Sequence, residues 1–172
     1  MNNPMRVILM GLLAVSMAAC TKKQTVETQP PADPVDNTAT TTQPTDNGKF
    51  TAGDLETDAC LRQRVVYFDF DQSDIKGDAA AILACHGKYL KDLPGAKMTL
   101  EGHADERGSR EYNVALGERR GNTVSSALQA NGGSAAQITV NSYGEERPTC
   151  SESDESCWGK NRRVEIVYTQ AQ

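Results

Sequence analysis

The chain has 172 residues, of which 38% are hydrophobic, 5% aromatic and 24% charged, so it is long enough for one domain with appendages and its core must rest on aliphatic side chains. Its formal net charge of −5 argues against a general nucleic-acid binder, which would need a basic footprint to meet phosphates.

The N-terminus sets the compartment. Met1 to Arg6 holds one basic residue, Val7 to Val15 is almost wholly apolar, and Ser16-Met17-Ala18-Ala19 places small residues ahead of Cys20. That apolar run is shorter than the ~20 residues a bilayer core requires, so it reads as a secretory signal peptide over 1–19. Small residues ending directly at a cysteine resemble the bacterial lipobox, which implies cleavage after Ala19 and acylation (palmitate) of Cys20; Met17 stands where leucine is commoner. Simple cleavage leaving a free Cys20 thiol is the alternative. Thr21, rather than Asp, follows Cys20, and in the sorting pattern resembled here this implies the outer membrane, with the remaining residues facing the periplasm. Cleavage removes one Arg and no acid from 18 Lys+Arg and 23 Asp+Glu, leaving a net charge of −6. Acyl chains contribute about 0.8 kcal/mol per buried methylene, so two or three of them anchor stably.

Gln24 to Asn47 holds four of the seven prolines, many threonines and hardly an apolar residue, a composition that cannot offset its own ordering entropy. We read residues 20–54 as a tether, with a root-mean-square reach of about 30 Å and a contour of about 110 Å. The domain is then 55–172. Leu55 to Gln63 is expected to form a short helix. Arg64 to Asp71 alternates as a strand dense in β-formers. Asp69, Asp71 and Asp74 hint at a calcium loop, but the loop glycine and closing glutamate are missing, and a strand end followed by a helix cap is the better reading. Asp78 to Leu90 carries a helical stripe that includes His86, and Leu93-Pro94-Gly95 ends it. Lys97 to Gly102 reads as the second strand, and Ser109 as the cap of a helix ending near Asn131-Gly132-Gly133. Gln137 to Tyr143 reads as the third strand, Gly144 to Lys160 as a long polar loop, and Arg162 to Tyr168 as the fourth strand. The order βαβαββ predicts an α/β (α+β) sandwich, with helices on one face of a four-stranded mixed sheet.

Gly102 to Val124 is the stretch that points to chemistry. At about 100° per residue, Gly117, Gly121, Val124 and Leu128 share one helix face, Asn113 and Arg120 lie within about 40° of its centre, and Arg119 points away. An arginine facing the core needs a carboxylate, and Asp105, between strand and helix, is the nearest candidate. The expectation is a cleft offering one cation and one anion to a zwitterionic ligand, with the two charges free to pair when it is empty. The competing reading is a plain buried ion pair. His103 and Glu101 invite an enzymatic reading, as does His103 with Asp105 in a hydrolase, but no activated nucleophile accompanies them; His103 reads as a hydrogen-bonded structural residue. Of Arg162 and Arg163, one is expected to brace the loop and the other to be solvated.

Cys60, Cys85, Cys150 and Cys157 allow three connectivities in an oxidising compartment. We favour Cys150 with Cys157, stapling the loop, and Cys60 with Cys85, pinning the start of the domain to its first long helix. Zinc is the alternative, but no pair has C-x-x-C spacing.

Taken together, VYFDFDQSDI, GHADERG, EYNVALGERR, SYGEERP and KNRRVEIVY, in that order, resemble the C-terminal domain of the outer-membrane protein A family, and within it the lipoprotein branch of the Tol-Pal system. The resemblance covers about Arg64 to Tyr168. It implies a non-catalytic, peptidoglycan-binding domain that links outer membrane to cell wall, supports envelope integrity and cell division, and has TolB and other Tol proteins as partners; no metal or cofactor beyond the lipid on Cys20 is implied. It matches Asp105 and Arg120 to the pair that binds meso-diaminopimelate of the stem peptide, Asn113 and Leu116 to the cleft lining, and Phe70 and Asp71 to the loop that closes it. The alternative within the family is a wall-binding lipoprotein of a secretion or motility assembly that does not bind TolB. The cysteine-bearing loop and the Cys60 and Cys85 pair depart from the branch's pattern.

Overall fold

The structure, a computed structural model, describes residues 48–171. The expected signal peptide, Cys20 and the expected tether up to residue 47 lie outside the described residues. In sequence order the elements are α1 (Asp54–Thr57), β1 (Val65–Tyr67), α2 (Gly77–Asp92), β2 (Lys97–His103), α3 (Arg110–Ala130), a 3-10 turn (Ala135–Gln137), β3 (Ile138–Gly144), α4 (Glu155–Asn161) and β4 (Arg163–Gln170).

Alternation in the strands builds the sheet. Its order is β1-β4-β2-β3, with β4 antiparallel to both neighbours and β2 parallel to β3, as the α3 crossover between them requires. Register stacks the apolar positions on one face: Val66 opposite Val164, Ile166 opposite Leu100, and Leu100 opposite Val140. Leu83, Tyr89 and Leu90 of α2 and Val124 and Leu128 of α3 close over that face and complete a single core. This is the mixed sheet with one helical layer that the sequence predicts.

Glycine brings α3 onto the strands. A Cβ on Gly102 would lie 2.0 Å from the carbonyl oxygen of Gly117, and one on Gly121 would lie 2.5 Å from Val140 Cγ1. With Ser142 Oγ donating to Val114 O at 2.6 Å, this contact holds the first half of α3 against the ends of β2 and β3. Ser109 caps the helix by accepting from Tyr112 N, as its position predicts.

Several local expectations are corrected. β1 is only three residues long: Phe68 N–H still donates to Arg162 O at 2.9 Å, in register with the ladder, but past it a turn from Asp69 to Gln72, with Asp71 at φ 56°, ends the strand. The long helix starts at Gly77 after Lys76, with no side-chain cap; Asp69 instead pairs with Lys76, and Asp71 accepts from Tyr112 Oη. The segment read as a helix from Leu55 to Gln63 is helical only over Asp54–Thr57 and continues as turns. The loop after Gly144 contains α4, whose start Asp154 caps by accepting from Ser156 and Cys157 N–H. Both disulfides have the favoured pairing, with Cα separations of 6.3 Å for Cys60–Cys85 and 5.7 Å for Cys150–Cys157.

The described residues begin at the end of the sheet remote from the C-terminus of β2. Phe50 N–H donates to Asp92 Oδ2 at 2.9 Å, its ring lies 6.0 Å from that of Tyr89, and Tyr89 Oη donates to the carbonyl of Ala171 at 2.8 Å. Asp92 ends α2, just ahead of β2, so the seven residues of β2, about 23 Å at 3.3 Å each, separate this end from the other. Among the described residues no helix is long and apolar enough to cross a membrane.

Candidate functional site

The site forms where three segments meet: the turn after β1, the turn between β2 and α3, and the first half of α3. Asp105 sits just past the strand end, and its Oδ1 accepts the N–H of Arg107, a local turn that the sequence Asp-Glu-Arg-Gly-Ser completes through Gly108 at φ 115° and the Ser109 cap. Asn113 reaches back from α3 to donate to Asp105 O at 3.1 Å and also contacts Glu145. A cavity of about 190 Å³ results, and all six residues singled out from the sequence line it: Phe70, Asp71, Asp105, Asn113, Leu116 and Arg120, with Arg107, Gly108 and Tyr112 beside them.

Helical phase placed Arg120 inward, and it is fully buried while Arg119 is exposed. Its partner is not Asp105. Arg120 donates to three backbone carbonyls instead: Nε to Gln72 at 2.8 Å, Nη1 to His103 at 2.8 Å and Nη2 to Asp69 at 3.0 Å. It thereby ties the β1 turn to the end of β2. A guanidinium has five N–H donors, so two remain for a ligand. Burial first of all, against the opposing attraction of Asp105, lowers its pKa to about 10, which leaves it a cation at neutral pH.

The expected pairing of Asp105 with Arg120 in the empty cleft is therefore corrected. Asp105 forms a fork with Arg107, Nε to Oδ1 at 3.1 Å and Nη2 to Oδ2 at 2.7 Å, and Arg162 Nη1 adds a contact to Oδ2 at 3.3 Å. Both arginines come nearer than α3 allows: one is two residues along the turn, and the other opens onto β4. Burial alone would raise the pKa of Asp105, but the bonds from the Arg107 side chain and backbone and from Arg162 outweigh it and hold the carboxyl below the usual aspartate range.

Four residues of this site escaped the sequence reading. Arg107 lies between two rings, 4.0 Å from the centroid of Phe70 and 4.1 Å from that of Trp158. Glu155 on α4 pairs with Arg162 at 2.5 Å and with Arg107 at 3.7 Å. The signal for Arg107 was local, since a residue two positions after an aspartate is within reach of its carboxylate; Arg162, Glu155 and Trp158 are 50 to 57 residues away and had none. Nor is either loop arginine solvated: Arg162 donates to Phe68 O at 3.0 Å, and Arg163 is buried against Glu165 at 2.6 Å.

His103 is not the hydrogen-bonded residue expected. Its ring is buried, stacks on Tyr143 at 5.5 Å between centroids, and neither nitrogen has a hydrogen-bond partner. Burial, with Arg163 as the second cause, lowers its pKa to about 4. His86 is also lowered, mainly by burial; its Nε2 donates to Gln63 O at 3.0 Å, so Nδ1 accepts from Tyr168 Oη at 2.9 Å. These are the only two histidines in the sequence. Unfolded histidine takes up a proton near pH 6.5 and the native rings do not, so stability is held above that pH and lost as pH falls towards 4. His103 alone accounts for about 3 kcal/mol of this loss. Urea unfolding at stepped pH is expected to show the decline, with a shallower slope in His103→Phe.

Residues 67–162, more than half of the chain, match the OmpA family. The chain belongs to the OmpA family. Within it, the relatives are peptidoglycan-associated lipoproteins. That of Pseudomonas aeruginosa is 49% identical over 115 residues, 66% of this chain and 68% of that protein; that of Haemophilus influenzae is 36% identical over 168 residues, 98% of this chain and 100% of that protein. The crystal structure of the peptidoglycan-associated lipoprotein from Burkholderia pseudomallei superposes with a TM-score of 0.65 at 39% identity, covering 66% of this chain and 97% of that one. The C-terminal domain of Helicobacter pylori MotB shares the OmpA fold, with a TM-score of 0.54 at 23% identity over 60% of this chain and 84% of that one.

Proposed function

We propose that this OmpA-family protein is an outer-membrane lipoprotein, anchored through acylated Cys20, that holds the cell wall by non-covalent binding of peptidoglycan. The observation that carries this reading is the cavity between Asp105 and Arg120, whose two charges face it without pairing with each other. The ligand chemistry fits: the distal stereocentre of meso-diaminopimelate presents an ammonium and a carboxylate. The two remaining donors of Arg120 grip the carboxylate, Asp105 accepts from the ammonium, and Leu116 and Phe70 shield both contacts from water. Asn113 and Asp71 hold the walls of the cleft. Support also comes from the names of the relatives, which are peptidoglycan-associated lipoproteins.

The domain acts in the Tol-Pal system, exchanging peptidoglycan for TolB and sustaining envelope integrity and cell division. Binding, rather than bond cleavage, is its role: His103 has no partner in the cleft and Asp105 is engaged by arginines. Two measurements test the reading. The full-length protein is expected to sediment with purified sacculi and release no soluble muropeptides, and to retain TolB in a pull-down that excess diaminopimelate-containing muropeptide weakens. Sedimentation without any TolB retention assigns the protein to another envelope assembly.

A further inference from the structure

A carboxylate offers about four acceptor positions, and those of Asp105 are all taken. Oδ1 accepts from Arg107 N–H at 3.1 Å and Arg107 Nε at 3.1 Å; Oδ2 accepts from Arg107 Nη2 at 2.7 Å and Arg162 Nη1 at 3.3 Å. No ammonium can bind this carboxylate until a donor leaves. The backbone N–H is fixed by its turn. Arg162 has a side chain only 7% exposed and is held at its other nitrogens by Phe68 O and Glu155. Arg107 is different: its side chain is 30% exposed at the cavity wall, and it has somewhere to go, with Glu155 Oε2 3.7 Å from Nη2 and two aromatic faces along which the guanidinium can slide.

We propose that Arg107 is a resident stand-in for the ligand's ammonium, so that recognition is an exchange of one cation for another on Asp105. The ligand's primary ammonium takes the positions vacated by the Arg107 fork, while Arg107 turns towards Glu155 and keeps its contact with Trp158. The inference rests on the reading of the cleft as a diaminopimelate receptor. Exchange keeps the buried carboxylate compensated at every stage, which simple opening would not. It also makes the site selective: a bare carboxylate reaches Arg120 but leaves Arg107 in place, whereas an amino acid carrying both charges displaces it.

The test is a titration of the full-length protein with the tripeptide L-Ala-γ-D-Glu-meso-diaminopimelate, comparing the wild type with Arg107→Ala and Arg107→Met, the latter keeping an apolar stem between the rings. Removal of a competitor raises affinity, and both variants are expected to bind about tenfold tighter, the reciprocal of a competent fraction of about one in ten. Trp158, the single tryptophan of the sequence, reports the movement: ligand changes its emission in the wild type, and the change is reduced in both variants. Equal or weaker binding in the variants overturns the exchange and makes Arg107 an ordinary contact. If neither variant folds, an unchanged Trp158 signal in wild-type protein saturated with tripeptide overturns it. Wild-type binding that Asp105→Asn leaves intact is the separate failure of the receptor reading itself.

Discussion

Arg120→Ala is expected to abolish sedimentation with purified peptidoglycan and to lower the stability of the domain by about 3–5 kcal/mol, the usual cost of deleting a buried charged group that its surroundings were built around. Three carbonyls, those of Asp69, Gln72 and His103, lose their donor at once; that of His103 is buried, and a buried acceptor left without a donor costs about 1–3 kcal/mol before relaxation and water entry. The Phe68 ring, 5.2 Å from the guanidinium, loses a cation above it as well. Binding and folding are therefore entangled in the alanine variant. Arg120→Lys separates them: it keeps a cation but not the planar fork, so urea unfolding should register a smaller loss than alanine while sedimentation still falls. Full sedimentation by a folded Arg120→Lys protein would mean that charge alone, without two-pronged recognition, holds the ligand.

The second large effect is expected at Asp105. Asp105→Asn keeps the shape but places an amide where two guanidinium groups require an acceptor, leaving Arg107 dependent on Glu155 and Arg162 on Glu155 and Phe68 O. A loss of about 3 kcal/mol at pH 7 and failure to retain diaminopimelate-containing muropeptide are the expected outcomes. The pH dependence separates this from a generic packing defect. The carboxyl of Asp105 is held below its unfolded range, so its stabilisation is fully present above about pH 4 and is lost as pH falls through the lowered native value. The stability gap between wild type and Asp105→Asn should accordingly narrow as pH falls below about 4 and through the lowered native value; a gap that stays constant would show that the carboxylate's charge is not what stabilises the turn.

Much of the molecule is legible in the sequence because it depends on local periodicity. The strands β2 and β4, both long helices and the Ser109 cap follow from the spacing of apolar and capping residues, and the phase of α3 distinguishes buried Arg120 from exposed Arg119. Where periodicity fails, so does the reading. Phe68 and Phe70 continue the alternation of β1, yet after Phe68, whose N–H makes the last bond to Arg162 O, the backbone turns at Asp69 to Gln72. The polar stretch after Gly144 has no helical stripe; α4 exists because Asp154 caps it and the Cys150–Cys157 disulfide joins it to the preceding loop.

The amino-acid sequence by itself determined the α/β architecture and the inward guanidinium, since each depends on residue type at short range; among three possible disulfide connectivities it favoured the one the structure contains. The tertiary structure alone decided which charges meet. Asp105 and Arg120 share a cavity, but the nearest fork belongs to Arg107, and Arg162 approaches from the junction of α4 and β4, 57 residues later. A carboxylate bonds to whichever donor reaches it at about 3 Å with correct geometry, and that choice is made by the packing of α3, α4 and β4 around the turn rather than by any spacing along the sequence.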